Sequence, residues 1–279
     1  MIGQSIVTLL LVVVTVFVSY KGFNDGFFKD RYAFDVERIM VAKEYYRIIT
    51  SGFLHNTWMH LIFNMLALYF FGSSLEPLVG PIQLLLIYFI TLVGGNLLAL
   101  YIHRGHGDYS SVGASGAVNG IIFSSIAIAP SMGIGFFFLP LSIPAWAFGL
   151  AYILFSIYGI KANWGNSGHA AHLGGALTGM LLTIALYPDV FSVNYLPILV
   201  IIIPTIAFIA YLIYKPEFLL MDTFSKKKQR RTIDHEYNLR KAQEQADIDS
   251  ILEKIHKKGM KSLTRQEKEA LEQYSRTKR

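Results

Sequence analysis

The sequence predicts an all-α membrane protein: a bundle of six transmembrane helices, a seventh C-terminal span and a small soluble helical tail. Three observations carry this. The 279 residues are 53% hydrophobic and only 16% charged, against roughly 25% charged residues in an average soluble domain. Mostly apolar stretches of roughly the 20 residues needed to cross a bilayer recur near 3–20, 58–75, 81–102, 113–130, 143–160, 169–187 and 194–214. Charge is also segregated. Residues 1–214 hold 8 Lys/Arg and 8 Asp/Glu, whereas 215–279 hold 17 and 11, so the whole net charge of +6 falls on the tail.

Each element follows from local residues. The first apolar run has no basic residue before it and no small-residue cleavage pattern after Tyr20, which reads as a retained span (1–20) and not a cleaved signal. Residues 21–57 mix six basic and five acidic residues with Phe23, Phe27, Phe28, Tyr45 and Tyr46. That composition suits an ordered loop partly sunk in the membrane interface, where aromatic rings settle. Between Ile48 and Ile102 the one charged residue is Glu76, and Pro77, Gly80, Pro130, Pro140, Pro144 and Pro188 punctuate the connections. The stretch 131–143 is apolar but carries a proline, with another just beyond it, which blurs the start of the fifth span. Residues 58–187 are expected to form the core and 188–214 an additional span. The tail, 215–279, opens with the basic cluster Lys226-Lys227-Lys228-Gln229-Arg230-Arg231. Beyond it, Ile248, Ile251, Leu252 and Ile255 at helical spacing, a C-capping Gly259 and a Thr264/Glu267 capping box predict a helical hairpin. The tail could recruit a partner or touch anionic lipid, or simply solubilise. Cysteine is absent, which removes disulfides, thiolate zinc sites and a thiol nucleophile.

Two motifs could carry chemistry. Gly113-Ala114-Ser115-Gly116 begins the fourth span. It is not the nucleophile elbow of soluble hydrolases, which follows a strand. Gly113, Ala117 and the pair Gly116/Gly120 are small residues four apart, so helix packing alone would explain the motif. A serine at a helix N-terminus nonetheless sits beside unpaired N–H groups that can stabilise an oxyanion. Ala171-His172-Leu173-Gly174-Gly175 begins the sixth span, and Ala171, Gly175 and Gly179 form a stripe of close approach. If the neighbour on that stripe carries Ser115, nucleophile and base meet.

His60 and Asn64 lie on one face at the start of the second span. They could donate to an oxyanion, or simply bond between helices. A metal held by His169 and His172 with His55 or His60 is the competing reading. It lacks the fuller ligand set such sites show. Alternating spans bring the starts of the second, fourth and sixth to one depth, and this coincidence favours a serine hydrolase.

These residues resemble the rhomboid intramembrane serine proteases. The matching pieces are Tyr46-Arg47 (the family usually has Trp-Arg), His55-x4-His60-x3-Asn64, Gly72-x3-Glu76, Gly113-Ala114-Ser115-Gly116 and Ala171-His172-Leu173-Gly174-Gly175-x3-Gly179, over about residues 40–185. The resemblance implies a six-helix catalytic bundle with Ser115 as nucleophile and His172 as general base. It implies an oxyanion hole from the Ser115 N–H, His60 and Asn64, with Gly113 and His169 in support. It implies transmembrane protein substrates cut near a membrane face, often after a small residue, and neither metal nor cofactor. No nucleic-acid partner is expected, and the cell membrane is the expected location. The family commonly places an aromatic residue four after the serine to pack on the imidazole. Here that position is Asn119. The expectation is that its side-chain oxygen accepts the His172 ring N–H and fixes the tautomer.

Two further expectations follow. With seven spans, the loops after spans one, three and five share a side with the tail, and these segments carry all 25 basic residues. The positive-inside rule would place them in the cytoplasm, whereas the resemblance places the active-site mouth outside; the tail's side stays open. The competing functions are an inactive rhomboid-like binding or quality-control protein, which typically lacks the serine or histidine, and a channel or transporter, which would spread polar residues through mid-membrane.

Overall fold

The computed structural model describes residues 5–136, 139–162 and 168–215, together with 251, 254, 255 and 264. The chain divides into two units, 1–220 and 221–279. All elements below belong to the first. The basic cluster at 226–231 and the tail's hairpin fall outside the described residues, apart from those four positions.

Helix α1 (Ile6–Asn24) runs four residues beyond the expected boundary at 20. It stops where Asp25 turns to cap the next helix, accepting the Phe28 N–H at 2.9 Å. The start of α1 is capped from another helix. The Glu76 carboxylate accepts the backbone N–H groups of Val7 (3.0 Å) and Thr8 (2.8 Å) and the Thr8 hydroxyl (2.7 Å). An anion thus meets the orphan N–H groups and positive dipole end of α1. A Cβ on Gly72 would come within 2.8 Å of Thr8, so the glycine and the glutamate four residues later both serve this contact.

The first loop is folded. It forms α2 (Gly26–Tyr32), β1 (Phe34–Asp35), α3 (Val36–Met40) and α4 (Arg47–Thr50). Arg47, 1% exposed, donates to the carbonyls of Asp30 (2.7 Å) and Ala33 (2.8 Å) and to the Glu44 carboxylate. Strand β1 pairs antiparallel with β2 (Ser110–Ser111), Phe34 opposite Ser111, and so ties this loop to the approach of Ser115.

Helix α5 (Trp58–Val79) is capped by Thr57, which accepts the His60 N–H. It passes through Pro77, which was expected to punctuate the chain. The carbonyl that loses its helical partner, that of Ser73, receives the Ser5 hydroxyl at 3.4 Å. Gly80 at φ 87° makes the turn into α6 (Pro81–His103). The remaining helices are α7 (Ser115–Ile128), α8 (Ala145–Lys161), α9 (His169–Leu186) and α10 (Asp189–Tyr214). Helices α1, α5, α6, α9 and α10 are long and apolar enough to cross a membrane, while α7 and α8 are shorter.

Two features depart from the sequence expectation. The stretch before α8 forms an antiparallel hairpin, β3 (Gly133–Phe136) and β4 (Leu139–Pro144), with Gly133 opposite Pro144. Helix α10 begins at Asp189, five residues before the expected 194, but Asn194 itself is non-helical. Its side-chain amide donates to the carbonyls of Ala127 (3.0 Å) and Ile128 (3.1 Å). These are end carbonyls of α7, so the kink in α10 caps another helix.

Glycines set the centre of the bundle. A Cβ on Gly175 would lie 2.0 Å from the Gly116 carbonyl oxygen, and one on Gly179 would lie 2.4 Å from that of Gly120. A Cβ on Gly95 would lie 2.6 Å from the Ala171 carbonyl. Helix α9 is therefore in backbone contact with both α7 and α6, the close approach that small residues permit.

Candidate active site

Ser115 is the first residue of α7. The chain enters this helix through Gly113 at φ 147°, whose N–H donates to the Ser51 carbonyl at 3.0 Å. A Cβ on Gly113 would sit 3.0 Å from His60 Nε2 and 3.6 Å from Ser115 Oγ. Backbone conformation and space both demand glycine, and the space it leaves lies between the serine hydroxyl and the imidazole.

The next residue is held by His55, which is 1% exposed. The Ala114 N–H approaches His55 Nε2 at 3.4 Å, and His55 Nδ1 lies 2.8 Å from the Ser19 hydroxyl. Ser19 donates in turn to the Phe53 carbonyl at 2.9 Å. The directions are consistent only for neutral His55 with its proton on Nδ1. Burial and the neighbouring His60 push its pKa down to about 3.

The glycine seam of α7 and α9 brings Ser115 and His172 together, with Oγ and Nε2 2.7 Å apart. The packing reading and the chemical reading of the small residues are thus one arrangement. Tyr152 of α8 places its hydroxyl 3.0 Å from His172 Nδ1. This corrects the expectation for Asn119. That side chain donates to the Ser115 carbonyl at 2.8 Å, and its amide also interacts with the Tyr152 hydroxyl. An aromatic residue does reach the imidazole, but from another helix and at 6.1 Å between tilted rings, without stacking. Nothing in the spacing marked Tyr152. Its one signal was a phenol in an apolar span, where a hydroxyl needs a partner.

His60 and Asn64 line the same cavity as the serine. Asn64 uses one amide hydrogen on the His60 carbonyl one turn back (3.0 Å), which leaves the second for a bound oxygen. His169 packs toward α8, beside Phe155 and over Gly159, and its ring meets His172 edge-on at 5.9 Å. A cavity of about 470 Å³ is lined by His60, Asn64, Gly113, Ser115, Tyr152 and His172, among others. Among the described residues no group of three His, Asp or Glu side chains could hold a metal ion.

Helix length bears on the depth of the site. The 14 residues of α7 span about 21 Å at 1.5 Å per residue, against a hydrocarbon core of about 30 Å. Twelve of the 14 are buried among neighbouring helices, so α7 need not reach both faces. A helix that starts below the surface places its first residue there.

Comparison with known proteins places the chain in a family. Residues 42–189, just over half the chain, match the model of the rhomboid domain. Residues 231–277 match a family of unknown function. The chain is 35% identical over 137 residues to Rhomboid protein 1, mitochondrial, of Saccharomyces cerevisiae, covering 48% of this chain and 40% of that protein. It is 32% identical over 177 residues to RHOMBOID-like protein 12, mitochondrial, of Arabidopsis thaliana, covering 58% and 52%. It is 33% identical over 150 residues to Rhomboid-like protein 11, chloroplastic, of the same plant, covering 50% and 51%. The chain thus spans about half the length of these relatives. Their names point to organelles, so they do not favour the cell membrane. The domain match and the five spanning-length helices make the chain a multi-pass, all-α membrane protein.

Proposed function

The chain belongs to the rhomboid family, and from that premise we propose that it is an intramembrane serine endopeptidase acting on transmembrane proteins. The single observation that carries the proposal is the 2.7 Å contact between Ser115 Oγ and His172 Nε2 at the wall of a cavity within the bundle. An inactive relative would have no need to keep this pair in contact.

In the proposed reaction Ser115 Oγ attacks the scissile carbonyl carbon while its proton passes to His172 Nε2. The carbonyl oxygen becomes an oxyanion, received by the Ser115 N–H, the His60 ring and the second amide hydrogen of Asn64. Collapse breaks the C–N bond, and the imidazolium proton leaves with the amine. Water then attacks the acyl ester and gives a proton to Nε2. The C–O bond to Ser115 breaks and the proton returns to Oγ. Gly113 supports this role because a side chain there would occupy the space between His60 and the serine.

We assign the catalytic core to 58–187, an additional span to 188–214 and an appended tail to 215–279. The substrates are transmembrane proteins met in the bilayer, and the tail serves a partner or anionic lipid. The test is purified protein with a model transmembrane substrate, comparing wild type with Ser115→Ala and His172→Ala. Cleavage by the wild type alone is expected. Equal cleavage by all three overturns the proposal.

A further inference from the structure

A serine–histidine pair needs something to hold the imidazole in the right tautomer and orientation, a task an aspartate performs in soluble triads. The ring nitrogens of His172 meet Ser115 and Tyr152, and neither partner is a carboxylate. We propose that Tyr152 is the positioning residue that takes the place of that acid. The proposal rests on the serine-protease reading and deepens it.

Proton bookkeeping leads to this assignment. For His172 to act as base, Nε2 must be the bare nitrogen that accepts from Ser115 Oγ at 2.7 Å. The ring proton of the neutral imidazole is then on Nδ1. Nδ1–H donates to the oxygen 3.0 Å away, that of the Tyr152 hydroxyl. The phenol proton must then point away from His172. Asn119 gives an N–H to the Ser115 carbonyl at 2.8 Å, and so holds the turn of α7 that carries the nucleophile. The chain runs from Ser115 Oγ to His172 Nε2 and from His172 Nδ1–H to the Tyr152 hydroxyl.

Tyr152 is suited to this. Its ring is steadied by Phe148, stacked at 6.1 Å and 25°, and by Phe123 of α7 at 6.1 Å. The hydroxyl is thereby aimed by packing and needs no charge. A carboxylate at this depth would have to be desolvated, a cost a neutral phenol avoids. The phenol stabilises the imidazolium formed during attack less than an ion would, but it selects the same tautomer.

The test uses the full-length protein in detergent and an alkyl fluorophosphonate, which labels an activated serine without any need for substrate docking. Wild type labels and Ser115→Ala does not. Tyr152→Phe, which keeps the ring and deletes one oxygen, is expected to label about tenfold more slowly, the cost of losing one neutral hydrogen bond in the transition state. On a model substrate kcat should fall by a similar factor with KM within about twofold, since Tyr152 acts through His172 and not on substrate binding. Labelling of Tyr152→Phe at the wild-type rate overturns the inference and leaves the protease reading standing. Equal labelling of wild type and Ser115→Ala overturns the protease reading itself. A readout independent of any variant's folding is the nitrogen-15 spectrum of His172 in the wild type at neutral pH. A proton on Nδ1 is expected, and a proton on Nε2 overturns the inference.

Discussion

Helix α5 carries polar side chains at both ends, and the two ends behave differently. At its C-terminal end Glu76 is 3% exposed, and its two oxygens accept three hydrogen bonds from the first turn of α1. At its N-terminal end, about 24 Å away along the helix, His60 and Asn64 border a cavity of about 470 Å³, and Asn64 spends one of two amide hydrogens on its own helix. Both sets are costly to bury in an apolar bundle. The carboxylate is repaid within the fold, whereas the imidazole and amide keep capacity for something that arrives. Polar groups in a membrane bundle divide into those the fold satisfies and those it leaves for a substrate, and only the partner count tells them apart.

Mutations should separate the two ends, and the largest separation is expected at the nucleophile. Ser115→Ala should lower cleavage at least about a thousandfold with the unfolding midpoint in detergent unchanged; a matching fall in midpoint would erase the distinction. Asn64→Ala should cost roughly a hundredfold in kcat, the typical price of one oxyanion donor, with a small change in stability. At the other end the pattern inverts. Glu76→Ala strands the N–H groups of Val7 and Thr8 and should cost roughly 3 kcal/mol of stability, read from denaturant midpoints. Its residual folded fraction should label with a fluorophosphonate at the wild-type rate.

The seam between the two ends gives a smaller, mixed effect. Gly175→Ala pushes a methyl group onto the Gly116 carbonyl and should cost roughly 1–3 kcal/mol by overpacking. It should also lower kcat, because the same displacement opens the 2.7 Å Ser115–His172 contact.

The last effect is nil at neutral pH and appears only in acid. His55 in the unfolded chain takes a proton near 6.5 but in the folded chain stays neutral down to about 3. Within that window acid favours the unfolded chain, so stability should be flat above about pH 6.5 and fall as pH drops toward 3. The share owed to His55 is the part of this acid limb that disappears in His55→Gln, measured as the midpoint against pH.

Much of this was legible in the sequence, for reasons that can be named. The spans could be read because a helix crossing lipid needs a long apolar run, and the starts observed at Trp58, Pro81, Ser115, Ala145 and His169 lie within two residues of those expected. Alternation of direction then brought His60, Asn64, Ser115 and His172 to one end. The hairpin at 133–144 escaped because Pro140 and Pro144 break any period that would mark a strand. The first loop showed its aromatics and charges but not its fold, which depends on Arg47 reaching the carbonyls of Asp30 and Ala33. Spacing sets Asn119 one turn from Ser115, where its amide donates to the serine's carbonyl, but the group at His172 Nδ1 is Tyr152 and not Asn119. Spacing along α7 says which side chains share its face and says nothing of what α8 presents opposite.

The sequence by itself determined which residues reach which depth, because hydrophobic length and helical rise are one-dimensional quantities written along the chain. It also determined where helices can press together, since only glycine leaves room for a neighbour's carbonyl. What the tertiary structure alone decided is lateral: which helix stands beside which, and how far each is turned about its axis. Those choices set Tyr152 against His172, Glu76 against α1 and Asn194 against the end of α7. They depend on packing summed over the whole bundle, and no local pattern encodes that sum.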